Sequence, residues 1–357
     1  MSSAARTTPP RRRPTRVQDG AEVGRRLREG DVSAAPAAMN LLESSAPSDR
    51  SEAASLLREI SPGALGGEPQ GHIIGVTGPP GAGKSTLLSA LVRHLRAHGY
   101  SSAEESRPLA SEAVIAVDPS SRRSGGALLG DRVRIQLEKP DPGIFIRSSA
   151  AGTRHGGLAW GTRSAAEALA AAFDVVIVET VGVGQAETEV ADVADTVVVV
   201  VQPGGGDVLQ FLKAGIMEIP EILVVTKADL GRIAQRTARE LSAAIRSLGS
   251  PNPDEPGLSS VVLVSSLSPP QGIDELAQKL GERWAMLNAD DRRALTARRL
   301  RARRAGALTD FTVEHGERGV RALGGRRAAS DFLAEQDPAL GVGELVSRLA
   351  ERAAAAA

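Results

Sequence analysis

The sequence predicts an α/β fold in which a mostly parallel sheet carries helices on both faces and helical extensions at both ends. Three observations point there. Seven short apolar runs, at 72–77, 113–118, 143–148, 174–179, 195–202, 221–226 and 260–265, are continuous and not alternating, as expected of strands buried on both faces. Helical segments such as 85–98, 161–172, 231–248 and 273–287 separate most of them, and strand–helix–strand repetition builds a parallel sheet. Aromatics make up only 2% of the 357 residues, so the core has to be built from Val, Leu, Ile and Ala.

Element by element, residues 1–20 hold five Arg, three Pro and no acid before Asp19, which reads as a disordered basic tail. An organellar transit peptide is the alternative, but clustered prolines oppose the helix it needs. Residues 21–65 read as a helical extension, with Leu27, Leu41, Leu42, Leu56, Leu57 and Ile60 at helical spacing. Pro36 fits only a first turn, placing a helix start near Ser33. Residues 66–288 hold all seven strands, with polar surface insertions at 101–112 and 249–259. Residues 289–357 are rich in Ala, Arg and Leu, without further strands. Their stretch 292–304 (RRALTARRLRARR) lacks the interleaved aromatics of a base-stacking surface. It is expected to form a solvated amphipathic helix with Ala294, Leu295, Ala302 and Ala305 on one face, Arg298 intruding and most other Arg pointing away. Nucleic acid is not an expected partner.

Composition excludes several chemistries. Lys plus Arg and Asp plus Glu number 43 each, so no bulk field steers the chain to polyanions or polycations. There is no Cys, which removes disulfides, thiolate metal sites and thiol nucleophiles. No apolar run approaches the roughly 18 residues of a membrane span, and no leader pattern is visible at the N-terminus. A cytoplasmic protein with no membrane partner is expected. Only five basic residues are Lys (84, 139, 213, 227, 279). In a chain that otherwise uses Arg, a Lys marks a place for a compact ammonium.

Two of the five lysines sit in motifs. Gly78-Pro79-Pro80-Gly81-Ala82-Gly83-Lys84-Ser85, followed by Thr86, matches G-x-x-x-x-G-K-[ST] between a strand and a helix. Glycines let backbone N–H groups wrap phosphates, and the helix N-terminus adds its positive end. Lys84 would reach the β/γ-phosphates and Ser85 would ligate Mg²⁺. Thr226-Lys227-Ala228-Asp229 follows the run EILVVT and differs from N-K-x-D only in its first residue. The Asp229 carboxylate can accept both the ring N–H and the exocyclic amine of guanine, whereas adenine would leave it desolvated and unpaired. Lys227 would lie along the base, and Ser265-Ser266-Leu267 would cap the guanine carbonyl through backbone N–H. These residues point to GTP and GDP as the ligands.

Glu179-Thr180-Val181-Gly182 stands where such proteins carry D-x-x-G. The acid would hold the Mg²⁺ surroundings and the Gly182 N–H would sense the γ-phosphate. Val183 follows, where a water-orienting Gln would sit, so intrinsic hydrolysis is expected to be slow and partner-stimulated. Gln185 lies two positions late.

The runs AVDPSSRRSGGALLGDRVRI (116–135), FDVVIVETVGVGQAETEVADVADT (173–196) and QPGGGDVLQFLKAGIMEIPEILVVTKADL (202–230) resemble the MeaB/ArgK/MMAA family of P-loop GTPases. These belong to the SIMIBI class and act as G-protein chaperones of adenosylcobalamin-dependent acyl-CoA mutases. The likeness covers about 71–287, and 28–44 also resembles the family's N-terminal extension. It implies that Asp118 and Asp131 join Ser85 and Glu179 around Mg²⁺ and the attacking water. It also implies that 202–215 forms a third loop facing the mutase, and that the C-terminal helices form a homodimer arm. The family's paired lysines appear here as Lys213-Ala214. His155 is given no role. The rival readings are a metal-insertion GTPase, opposed by the absence of Cys and five scattered His, a transport-type ATPase or kinase, opposed by Asp229, and a scaffold whose nucleotide only stabilises the fold.

Overall fold

The computed structural model describes residues 19–44, 46–100, 111–118, 135, 140–150, 160–180, 190–204, 220–248 and 260–356. Its helices and strands are α1 (Gly20–Arg28), α2 (Ala35–Glu43), α3 (Pro47–Glu59), α4 (Pro62–Leu65), β1 (His72–Thr77), α5 (Lys84–His98), β2 (Glu112–Asp118), β3 (Ile144–Ala150), α6 (Trp160–Ala170), β4 (Val175–Glu179), β5 (Thr196–Val201), β6 (Ile222–Val225), α7 (Arg232–Leu248), β7 (Ser260–Leu263), α8 (Ile273–Ala322), α9 (Arg326–Ala334) and α10 (Val342–Ala355). All seven expected strands form, within two residues of their apolar runs.

The strands make one sheet in the order β3-β2-β4-β1-β5-β6-β7, and every pairing is parallel. The expected fold class is therefore what forms. β1 is central. The strand after it in the chain, β2, lies on one side beyond β4, and β5 leads off on the other, so the chain reverses its winding at β1. Ligands of such sheets sit beyond the carboxyl ends of the strands at that crevice.

The continuous apolar strands serve two cores. Ile73, Val176, Val178, Val197 and Val199 face the side covered by α1–α3, α6 and α7. Ile74, Val76, Ile177, Val198 and Val200 face α5 and the start of α8. In the N-terminal extension, Leu27, Met39 and Leu56 are fully buried. Gly20 and Gly24 of α1 let its backbone close on α3, since a Cβ at Gly20 would meet the Glu52 carbonyl oxygen at 1.8 Å. Pro36 sits in the first turn of α2, as its missing N–H requires. The C-terminal helices form a third, smaller core around Ala307, Phe311, Leu333, Leu345 and Leu349.

α8 is broken. Ala289 to Arg292 leave helical geometry, with φ of +48°, +55° and +62° at Asp290, Asp291 and Arg292. Beyond the break, the expectation of a solvated arginine face fails. Ala294 and Ala305 are exposed, while Leu295, Arg299, Arg303 and Ala307 point inward. The reason is that each buried arginine has a carboxylate waiting. Arg299 Nε and Nη2 donate to Asp195 at 2.9 and 2.6 Å, and Arg303 grips both oxygens of Glu68 at 2.8 Å. Arg299 also donates to the Pro69 and Gly71 carbonyls, and Arg298 to the Ala194 carbonyl and Glu221. Burial opposes the Asp195 charge, but the Arg299 charge and hydrogen bonds outweigh it and hold the carboxyl below its usual range. The arm is thus fastened to the sheet by charge.

Candidate nucleotide site

β1 ends at Thr77, and the chain turns at Gly78 with φ +142°. A Cβ there would stand 2.1 Å from the Val200 carbonyl oxygen, so only glycine lets the loop leave the sheet this close to β5. Gly81 and Gly83 have φ of +78° and +88°, which L side chains adopt at a cost of roughly 1–2 kcal/mol. The loop then opens α5, whose first-turn N–H groups and dipole favour an anion. Lys84 begins that helix, is buried, and donates from Nζ to the Gly78 and Pro79 carbonyls at 2.7 and 3.3 Å. The ammonium is held inside its own loop, within reach of whatever the loop encloses.

Register brings the second group in. Val76 pairs with Glu179 across β1 and β4, so the carboxylate arrives beside the start of α5, and Ser85 Oγ donates to Glu179 Oε1 at 3.1 Å. Just outside this pair, Thr180 Oγ1 donates to Thr77 Oγ1 at 2.9 Å with both hydroxyls buried. That bridge ties the exits of the two strands together. One hydroxyl and one carboxylate oxygen suit Mg²⁺, which takes few protein oxygens and fills its octahedron with waters and phosphate. Among the described residues no cluster of three His, Cys, Asp or Glu is found; the Asp118 side chain and Asp131 lie outside them.

The third group follows from the β5-β6-β7 register, where Val201 pairs with Val225 and Val225 with Leu263. Thr226, in the position of Asn, is buried, and its hydroxyl donates to the Ala82 carbonyl at 2.7 Å. The shorter side chain still fastens this loop to the phosphate loop. Lys227 stands at φ +53°, exposed, with Nζ 2.9 Å from Gln202 Oε1. Asp229 is exposed, and Ser265 Oγ donates to its Oδ1 at 2.9 Å. The Ser265 amide is engaged by the Gln271 carbonyl at 3.0 Å, so this serine faces the site with its hydroxyl. Ser266 and Leu267 follow on the rim, with Leu267 63% exposed.

The structure thus gathers Gly78 to Thr86, Glu179, Thr226, Lys227, Asp229 and Ser265 to Leu267 at one end of the sheet. The backbone of Asp118 ends β2 at that same end; its side chain, Asp131, Gly182, Val183, Gln185, His155 and Lys213 lie outside the described residues, as do residues 1–18. Sequence reasoning missed Gln202, the Thr77–Thr180 bridge and the Ser265 hydroxyl. Only the position of Gln202 at the end of an apolar run could have flagged it.

Comparison with known proteins identifies the family. The family model described as methylmalonyl-CoA mutase-associated GTPase MeaB matches residues 35–319. A Pyrococcus abyssi protein named as a GTPase is 42% identical over 272 residues, 76% of this chain and 78% of its own. The Caenorhabditis elegans protein named methylmalonic aciduria type A homolog, mitochondrial, is 34% identical over 270 residues, 72% of this chain and 64% of its own. A crystal structure titled LAO/AO transport system kinase superposes with a TM-score of 0.63 at 30% identity, covering 93% of this chain and 96% of that one. With its phosphate loop and a family match over most of its length, the chain belongs to the MeaB family of GTP-hydrolysing P-loop proteins.

Proposed function

We propose that this GTPase uses Mg²⁺ and works as a switch that gates cobalamin loading or protection on an adenosylcobalamin-dependent acyl-CoA mutase of the methylmalonyl-CoA type. The observation that carries the guanine half is the Ser265–Asp229 hydrogen bond at 2.9 Å. It aims a carboxylate at a ring N–H and an amine that only a guanine-like base presents. The mutase half is supported by the family description and by relatives named for methylmalonic aciduria.

In this reading Lys84 leaves the Gly78 and Pro79 carbonyls for the β/γ-phosphate oxygens when nucleotide enters. Ser85 and Glu179 hold the Mg²⁺, with Asp118 and Asp131 near it. The ion, when bound, neutralises charge on the phosphate oxygens. Gly182 senses the γ-phosphate, and the Thr77–Thr180 bridge carries the change between the two loops. With Val183 in place of a water-orienting Gln, turnover waits for the partner. The same proposal divides the chain into a tail (1–20), a helical extension (21–65), a GTPase core (66–288) and a dimerisation arm (289–357). It places the protein as a homodimer in the cytoplasm.

GTP turnover by the purified protein, alone and with a mutase from the same source, tests it. The expected result is slow basal hydrolysis accelerated at least tenfold by the mutase, about 1.4 kcal/mol of barrier, with Asp229→Asn losing the preference for GTP over ATP. Good GTP binding with an unchanged rate removes the mutase; an ATP preference removes the guanine reading.

A further inference from the structure

Each recognition residue of the Thr226–Asp229 motif has a partner. Thr226 is held by the Ala82 carbonyl and Asp229 by the Ser265 hydroxyl. Lys227 is held by Gln202, whose Oε1 lies 2.9 Å from Nζ. We propose that Gln202 is a positioning residue of the base site, fixing the Lys227 side chain so that its methylene stem forms one wall for guanine.

The need for such a residue follows from the lysine itself. Lys227 is exposed and has four rotatable bonds, so a base settling against it would have to freeze that freedom on binding. Its backbone is already committed. It stands in the left-handed region at φ +53° and ψ +43°, which a non-glycine residue holds only when its surroundings dictate it. Here Ala228 N–H donates to the Val264 carbonyl, and Leu230 N–H to the Lys227 carbonyl at 2.9 Å. The backbone therefore sets where the stem starts, and Gln202 sets where it ends.

Register explains why Gln202 is in place. Val201, the last residue of β5, pairs with Val225, the last of β6, so the residue after β5 arrives beside the one or two that follow β6. The amide also suits the task chemically. A neutral carbonyl oxygen accepts a hydrogen bond from the ammonium without cancelling its charge. Gln202 acts through Lys227 and touches no reacting atom.

This inference rests on the guanine reading, and the test separates the two. Binding of GTP, GDP, ATP and inorganic tripolyphosphate, each with Mg²⁺, is measured by calorimetry on the full chain, unaltered or carrying Gln202→Leu, Gln202→Glu, Lys227→Met or Gln202→Leu with Lys227→Met. Gln202→Leu is expected to weaken GTP and GDP alike by about fivefold, and to leave tripolyphosphate, which has no base, unchanged. Gln202→Glu keeps an acceptor and should retain most of the affinity. In the Lys227→Met background the second change should do nothing further. A Gln202→Leu variant that binds GTP as the unaltered chain does overturns the inference while the guanine reading stands. Equal loss for GTP and tripolyphosphate overturns it too, because Gln202 would then be supporting the phosphate loop. An unaltered chain that binds tripolyphosphate but does not prefer GTP to ATP removes both.

Discussion

Arg299 and Asp195 meet as two parallel forks, Nε to Oδ1 at 2.9 Å and Nη2 to Oδ2 at 2.6 Å, with the side chains 7% and 1% exposed. The pair stands where the C-terminal arm crosses the start of β5. Asp195 also accepts the Ile73 N–H at 2.8 Å, so one carboxylate joins the arm, β5 and the central strand. Removing one partner of a buried pair leaves an uncompensated charge, which costs about 3–5 kcal/mol. Arg299→Met should lower stability by that amount in urea unfolding followed by circular dichroism. Arg299→Met with Asp195→Leu should recover most of it. If the double change is as damaging as the single one, the pair is not what is being lost.

Gly78 and Gly81 separate steric from conformational demand within one loop. A Cβ at Gly78 meets the Val200 carbonyl oxygen at 2.1 Å, while one at Gly81 meets nothing within 4 Å. Gly78→Ala should abolish nucleotide binding by displacing the loop. Gly81→Ala should carry only the strain of its positive φ, roughly 1–2 kcal/mol, and weaken GTP about tenfold. Titration with a fluorescent GTP analogue checks the order; equal effects would contradict it.

Thr226→Val removes a buried hydroxyl and leaves the Ala82 carbonyl oxygen without its 2.7 Å donor. The expected loss is about 1–3 kcal/mol, seen as weaker GTP and tripolyphosphate binding together, since the hydroxyl braces the phosphate loop and not the base. A loss confined to GTP would place Thr226 at the base instead.

His72 makes stability depend on pH. It is fully buried, stacks on Trp284 at 4.5 Å, and its two ring nitrogens lie 2.7 and 2.8 Å from Tyr100 Oη and Thr196 Oγ1. Burial, with the charges of nearby arginines behind it, lowers its pKa to about 3, against an upward pull from Asp195. The folded chain therefore binds a proton less readily than the unfolded one, and stability falls as pH drops from about 6.5 towards 3. At pH 4.5 the loss is about 2–3 kcal/mol. In His72→Gln, thermal midpoints between pH 7 and 4.5 should show a shallower slope. Unchanged slopes would assign the acid sensitivity elsewhere.

Legibility followed physical type. The strands of a sheet covered on both faces must be apolar throughout, and a phosphate loop must have glycine where φ is positive, so both were visible as letters. Charged residues defeated the reading for the opposite reason. Arg299 and Arg303 carry the same symbol as an exposed arginine, and only the fold shows that Asp195 and Glu68 await them. Gln202 and Lys227 lie 25 residues apart and meet because two parallel strands pair in one register. His72 opens an apolar strand, and its burial beside two hydroxyls follows from the sheet order, which spacing does not encode.

The break at 289–292 and the forks beyond it have a mechanical consequence. An apolar helix face meets its neighbour through many small, non-directional contacts, so a slight offset is felt gradually. A planar guanidinium seated on a planar carboxylate has one good seating, and a shift of an ångström forfeits both hydrogen bonds at once. With Arg299 and Arg303 both seated this way, the arm behaves as a keyed shaft. Sliding the arm over the sheet would break its seats on Asp195 and Glu68 together, so the helices packed around Phe311 are held at one offset from the sheet.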